Sequence, residues 1–426
     1  MADNNKHYFD IDFNVTEADI QRLFEPHDPL EFSLSDFKEL EDSGQTFDPI
    51  DWEYLYSLCN YIFEPLLDHY YRASVIGFEN LPKKGPLIVA SNHSGNAFPH
   101  DAMVLDALLW RESGMTKEAK FRSVFTPKLA ATWWMRPFAI DNWWRKGGGV
   151  DMKFDNYDLL LKNNHRVIYY PEGVPGIGKG FTRRYQLQHF YSSFVVLAAR
   201  HDAPVCPVCA INAEWVNPTS LTFRWLNKLF DKLLGLPFFP VPIIFFTLLF
   251  PFLFYLAFPC KMTFVVGDPV DVRKKLRSIG ADPDNAKKKD YEQVAEMIRI
   301  DMQKKLDKGV AKYGQKPYEV KSWLKKMKNL GLKNAIKFSP IGWPFAFVQH
   351  ARDMERPKAK NRLHKLFRDL DILAFYIPFG WFVIALLRLI RKPPYGYRGL
   401  TKKERRKREG KYLWLLKKRP MPGMKT

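Results

Sequence analysis

His93 stands in Ser91-Asn92-His93-Ser94-Gly95, directly after the apolar run Leu87-Ile88-Val89-Ala90. An imidazole at neutral pH can take a proton from a hydroxyl. A carboxylate bound to its other ring nitrogen would fix the tautomer and stabilise the imidazolium. Asp101 opens the helical pattern that ends at Trp110 and is placed to fold back as that carboxylate. His93 and Asp101 are therefore the candidate base and its orienter. His100 is a rival base without a suitably spaced carboxylate downstream.

A second polar stretch, Tyr170-Pro171-Glu172-Gly173 through Gly180, also follows an apolar run. Its Glu172, Gly173 and Lys179, with Arg183 and Arg184 just beyond and Arg136 earlier in the chain, are candidates for holding an anionic acceptor. Lys179 could meet a phosphate by charge, and glycine-rich backbone N–H groups could add to it. Glu172, being acidic, is expected to orient the acceptor or an arginine. Arg145 and Lys146 add to the basic neighbourhood, beside a flexible Gly147-Gly148-Gly149.

Gly173 to Lys179 also satisfies G-x-x-x-x-G-K. The phosphate loop of an NTPase next needs Ser or Thr for Mg²⁺, where this chain has Gly180, and Pro175 removes a backbone donor. Cys206-Pro207-Val208-Cys209 resembles a metal or redox pair in spacing only. On a strand, residues three apart face opposite sides, so both cysteines read as core packing. No cofactor or metal is expected.

These residues need elements to carry them. Short strands are expected over Ala73 to Phe78, Gly85 to Ala90, Phe121 to Phe125, Pro137 to Ile140, Arg166 to Tyr170, Pro204 to Ile211 and Lys261 to Asp268. Helices are expected over 50–72, up to Trp110, Pro127 to Trp134, Asp151 to Lys162, Arg184 to Arg200 and Tyr291 to Lys312. Strands alternating with helices predict an α/β fold with a central mixed sheet flanked by helices. A polar, His-bearing turn at a strand's carboxyl end is where such sheets place chemistry.

The three blocks taken together, Ser91 to Gly95, Tyr170 to Gly173 and Ala203 to Val208, resemble the glycerolipid (lysophospholipid, 1-acylglycerol-3-phosphate-type) acyltransferase family over roughly residues 70 to 310. The resemblance implies that His93 deprotonates an acceptor hydroxyl, which attacks the thioester of an acyl-CoA or acyl-carrier protein as co-substrate. It also implies a lysophospholipid or glycerol-phosphate-like acceptor. Two departures stand out. The family motif is H-x4-D, but Phe98 occupies the Asp position and Asp101 makes H-x7-D, so the loop must bulge around Gly95 and Pro99. The arginine usual soon after Glu-Gly is replaced by Val174-Pro175. Formal H-x4-D matches at His7/Asp12 and His364/Asp369 follow no strand and read as chance.

Of 426 residues 46% are apolar, enough for a sizeable core, and the net charge is +20. Residues 1–50 carry thirteen acidic and three basic side chains, so the remainder is strongly basic. Such a balance fits anionic lipid, nucleic acid or an anionic substrate. Three parts are expected: an acidic arm over 1–48, an acyltransferase domain over 49–312 with an apolar insert at 232–260, and a basic, partly helical extension over 313–426.

The insert has no charged residue from Leu233 to Cys260 but contains five prolines, and it must return to the sheet it left. A re-entrant or interfacial hairpin is expected rather than a crossing. Ile372 to Leu387 would span about 24 Å as a helix, short of the roughly 30 Å hydrocarbon core. It precedes a tail with fourteen Lys/Arg and two Glu. An in-plane helix with its tail on anionic headgroups follows, giving membrane lipids as partners and the cytoplasmic face of a membrane as location. Cys59, Cys206, Cys209 and Cys260 are too irregularly spaced for a disulfide framework, and no apolar leader is visible, which fits a reducing compartment. No nucleic acid partner is expected, although a lipid-surface or nucleic-acid binding protein with a degenerate site is the alternative.

Overall fold

A computed structural model of the chain describes residues 50, 52–94, 99–125, 147–151, 154–234, 240–241, 243–355, 361, 363, 367 and 369–390. The acidic arm, the expected helix at 127–134, the strand at 137–140 and the basic tail lie outside the described residues, as do Arg136, Arg145, Lys146 and His364.

Among the described residues, seven strands form one sheet: β1 (Ser74–Ile76), β2 (Leu87–Ser91), β3 (Phe121–Phe125), β4 (Val150–Asp151), β5 (Arg166–Tyr169), β6 (Val205–Ile211) and β7 (Thr263–Val266). Their order is β1-β7-β6-β2-β5-β3-β4. All pairings are parallel except β6 with β7, where Val208 faces Val266 and Ile211 faces Thr263. The sheet is mixed and flanked by helices, as expected. Every residue of β2 and β6 is buried, which accounts for their unbroken apolar runs in place of alternation.

The helices are α1 (Trp52–Leu58), α2 (His100–Glu112), α3 (Phe154–Lys162), α4 (Gly173–Gly178), α5 (Ser193–His201), α6 (Arg224–Leu234), α7 (Ile243–Leu249), α8 (Val272–Ser278), α9 (Lys288–Tyr313), α10 (Val320–Asn329), α11 (Leu332–Lys337), α12 (Trp343–Glu355) and α13 (Gly380–Ile390). One face of the sheet buries Leu55, Leu105, Leu108, Phe264 and Trp343, and the other buries Phe194, Val196, Tyr291, Val294 and Ile298. Cys206 lies in the first core and Cys209 in the second, so the strand geometry parts them. Burial pushes both thiols up to about 12.

Local differences from the sequence expectation have local causes. The helix expected over Arg184 to Arg200 begins only at Ser193. The Leu187 N–H donates to Gln303 Oε1 (2.8 Å) and the Gln188 N–H to Glu172 Oε2 (2.7 Å), bonds a helix would have kept internal. Gly173 to Gly178, expected as a turn, forms α4, because Pro175 falls in its first turn where a missing N–H costs nothing. The helix expected over 50–72 ends at Leu58 and continues as two π-turns, Cys59–Phe63 and Leu66–Tyr70, on either side of Pro65.

Arg72 ties the sheet to the two segments outside it. Buried, it donates to the carbonyls of Tyr70 (2.5 Å), Pro259 (3.0 Å) and Tyr318. The apolar segment leaves the sheet after β6 and returns at β7 beside it. Ile372 to Leu387 is two elements, a 3₁₀ segment Leu370–Tyr376 and α13, broken around Pro378. Among the described residues no helix is long and apolar enough to cross a membrane.

Candidate active site

Three adjacent parallel strands, β5, β2 and β6, end side by side, and the loops that leave their carboxyl ends meet. Asn92 extends the pairing one step past β2 through its side chain. Its Nδ2 donates to Ala210 O (3.2 Å), and its Oδ1 accepts from Ala210 N–H (2.7 Å). The residue after it, His93, is thereby fixed at the sheet's edge.

His93 Nδ1 lies 2.8 Å from Asp101 Oδ2, and both side chains are buried. The same oxygen accepts the Ser94 N–H at 3.2 Å. Asp101 sits in the first turn of α2, where the helix dipole favours a carboxylate. Burial alone would raise its pKa, but the His93 charge and hydrogen bond, with the Ala102 N–H and the Ser94 side chain, hold it below the usual carboxylate range. The H-x7-D spacing thus brings the carboxylate onto the His93 ring. The intervening Gly95 to Phe98 lie outside the described residues.

Tyr170 stacks flat on the His93 ring, with centroids 3.8 Å apart and planes 11° from parallel. His93 Nε2 has no hydrogen-bond partner among the described residues. Held by Asp101 on one nitrogen and Tyr170 on one face, the imidazole offers Nε2 as its reactive atom.

Glu172 is fully buried, and its carboxylate is spent on backbone: Oε1 accepts the His93 N–H (2.9 Å) and Oε2 the Gln188 N–H. It orients the His93 loop, a partner the sequence did not suggest. Gly173 begins α4 with φ +56°, a left-handed value that glycine adopts without strain. Gly176 passes directly beneath the site, where an added Cβ would fall 2.8 Å from His93 Cβ and 2.7 Å from Glu172 Cβ.

Lys179 has no solvent exposure. Its Nζ lies 3.2 Å from Glu214 Oε1 and 4.0 Å from Glu172 Oε2. Burial would lower its pKa, but the two carboxylates outweigh that and keep it charged. Its charge therefore acts inside the protein, joining the loops after β5 and β6. That placement also leaves no phosphate cradle at Gly173 to Lys179. Arg183 donates to Lys179 O (3.2 Å), and the exposed Arg184 lies over the rings of Phe181 and Trp215.

His100, the rival base, is buried beside Tyr71, whose hydroxyl is 2.9 Å from its Nδ1. Burial depresses its pKa to about 3, against a smaller opposing pull from Asp101, so it stays neutral at pH 7. Asn92, Tyr170, Gly176 and Glu214 were missed in the sequence. Only Asn92 and Tyr170 carried a signal, by flanking the candidate residues.

Comparisons with known proteins place part of the chain beside an enzyme family. Residues 72–211, from just before β1 to the end of β6, match the family described as Acyltransferase. Uncharacterized proteins of Mycobacterium tuberculosis and Mycobacterium bovis are 30% identical over 217 residues, 49% of this chain and 56% of theirs. An uncharacterized protein of Mycobacterium leprae is 28% identical over 219 residues, 50% of this chain and 55% of its own. The chain thus spans little more than half the length of these curated relatives. Among solved structures, the 1-acyl-sn-glycerophosphate acyltransferase PlsC of Thermotoga maritima aligns over 67% of this chain and 87% of its own, at TM-score 0.33 and 16% identity.

Proposed function

We propose that this acyltransferase domain moves a fatty acyl group from a thioester, an acyl-CoA or acyl-carrier protein, to a hydroxyl of a lysophospholipid or glycerol-phosphate-like acceptor. The observation that carries the reading is the buried 2.8 Å pair of His93 Nδ1 and Asp101 Oδ2, which leaves Nε2 for a substrate.

In the proposed step, Nε2 takes the acceptor's O–H proton as its oxygen attacks the thioester carbonyl carbon. The tetrahedral oxyanion collapses, the C–S bond breaks, and the imidazolium returns the proton to the leaving thiolate. The products are an ester and a free thiol. Asp101 stabilises the imidazolium between the two proton transfers. Glu172, through the His93 N–H, and Lys179, through Glu172 and Glu214, hold the loop from beneath. Arg183 and Arg184, on the segment after α4, are the described cations proposed for an anionic acceptor, with Arg136 as a further one. The acceptor's lipid character leads us to propose a membrane surface as the site of action, on its cytoplasmic face.

The test incubates purified protein with labelled acyl-CoA and a panel of lyso-lipids, with products identified by mass. His93→Ala is expected to abolish ester formation, and Asp101→Asn to lower kcat by on the order of 10²–10⁴-fold while the protein stays folded. Ester formation by His93→Ala at the wild-type rate would remove the assignment.

A further inference from the structure

The two apolar segments, which sequence leaves 112 positions apart, are one body. The Phe379 N–H donates to Leu249 O (2.7 Å), and Trp381 Nε1–H donates to Thr247 O (2.6 Å). Tyr376 stacks between Phe252 (5.3 Å) and Phe345 (5.6 Å). The inward side of this body is finished, with Ile372, Phe375 and Ile384 buried. Its outward side is not: Phe246, Leu373, Ile377, Phe379, Phe382 and Leu386 are all exposed, Phe382 by 76%. An apolar cluster of this kind on a chain's surface marks a docking site.

Charge decides what it docks on. The chain that follows α13 carries fourteen Lys/Arg against two Glu. At the other end of the insert, α6 turns the same combination outward. Trp225, Leu229 and Leu233 fall four residues apart on one exposed stripe, with Arg224, Lys228 and Lys232 on the adjoining one. Aromatic and aliphatic side chains bordered by cations match the headgroup boundary of an anionic bilayer, where rings bury shallowly and cations meet phosphates. Crossing is outside the reach of these helices, since the eleven residues of α13 span only about 16 Å of a roughly 30 Å hydrocarbon layer.

We infer that the surface built by α7, the 3₁₀ segment 370–376 and α13 is a docking face for anionic lipid bilayer, entered in-plane and to shallow depth. This deepens the proposed lipid acyl transfer by naming the face that meets the membrane. All of its elements lie outside residues 72–211.

Vesicle flotation of the full chain tests it without turnover, so a failure of the acyl-transfer reading leaves the result interpretable. Expected is binding to phosphatidylcholine vesicles containing anionic phosphatidylglycerol, falling about tenfold or more on pure phosphatidylcholine and weakening as salt screens the headgroups. The double variant Phe382→Asp/Leu386→Asp is expected to lose at least about tenfold in binding to anionic vesicles. It should keep wild-type melting, because both side chains are already exposed. His93→Ala should float as wild type. Equal flotation of the double variant and wild type would overturn the inference. So would a wild-type dimer that the double variant splits while flotation is unchanged, since the face would then belong to a second copy.

Discussion

The residue whose role changes most between sequence and structure is Lys179. A lysine in a glycine-rich turn invites an anion, yet its Nζ is enclosed between Glu172 and Glu214 with no solvent contact. Removing one partner from a buried ion set leaves an uncompensated charge, at a cost of roughly 3–5 kcal/mol. Lys179→Met leaves two buried carboxylates without their cation, and its denaturant midpoint is expected to fall accordingly, whereas a wild-type midpoint would show that the lysine's charge is not what those carboxylates need.

Among elements, α4 has the tightest tolerance. It lies against the His93 loop through a glycine because nothing larger fits: a Cβ on residue 176 would meet both His93 Cβ and Glu172 Cβ closer than 3.0 Å. Alanine is the better helix former by up to about 1 kcal/mol, so propensity alone would make Gly176→Ala stabilising. The clash must instead push α4 off the loop, and a shift of the order of 1 Å at a catalytic group can cost about 10²-fold in rate. Gly176→Ala is expected to lose activity on that scale with a stability change of only about 1–3 kcal/mol. Wild-type kcat in this variant would show that the contact is slack. The Asn92 side chain does for β2 what α4 does for the loop. It prolongs a ladder past the last paired backbone group, so that His93 leaves the sheet at a fixed height.

For the whole molecule, the buried His100 contributes to behaviour in acid. His100 titrates near pH 6.5 in the unfolded chain and at about 3 when folded. Between those values the unfolded chain holds a proton that the folded chain lacks. Stability therefore falls as pH falls, by up to ~1.4 kcal/mol per pH unit from this group. Asp101 adds its loss only lower, since its folded pKa is depressed and its contribution is complete above about pH 3.9. Denaturant midpoints of His100→Asn measured from pH 7 to 4 should decline less steeply than wild type. Parallel curves would remove His100 as the cause.

The sequence by itself determined the α/β layering and the strands that matter, with Phe121–Phe125 matching to the residue and the return strand beside β6 implied by continuity. It also put forward His93 and Asp101 as a pair, from the polar exit of an unbroken apolar strand taken together with the Glu172-Gly173 and Pro204 to Val208 blocks, and the structure brings the two side chains to 2.8 Å. What it could not give were partnerships between residues far apart in the chain. Glu172 reads as a ligand for substrate until its two oxygens are seen on the His93 and Gln188 N–H groups, 79 and 16 residues away. Gly176 is one glycine among 24 until its neighbour is known. Two apolar runs likewise read as separate membrane elements until Phe379 meets Leu249. Periodicity and composition are local quantities, whereas burial, charge neutralisation and steric closeness arise only when the sheet brings distant loops to one edge.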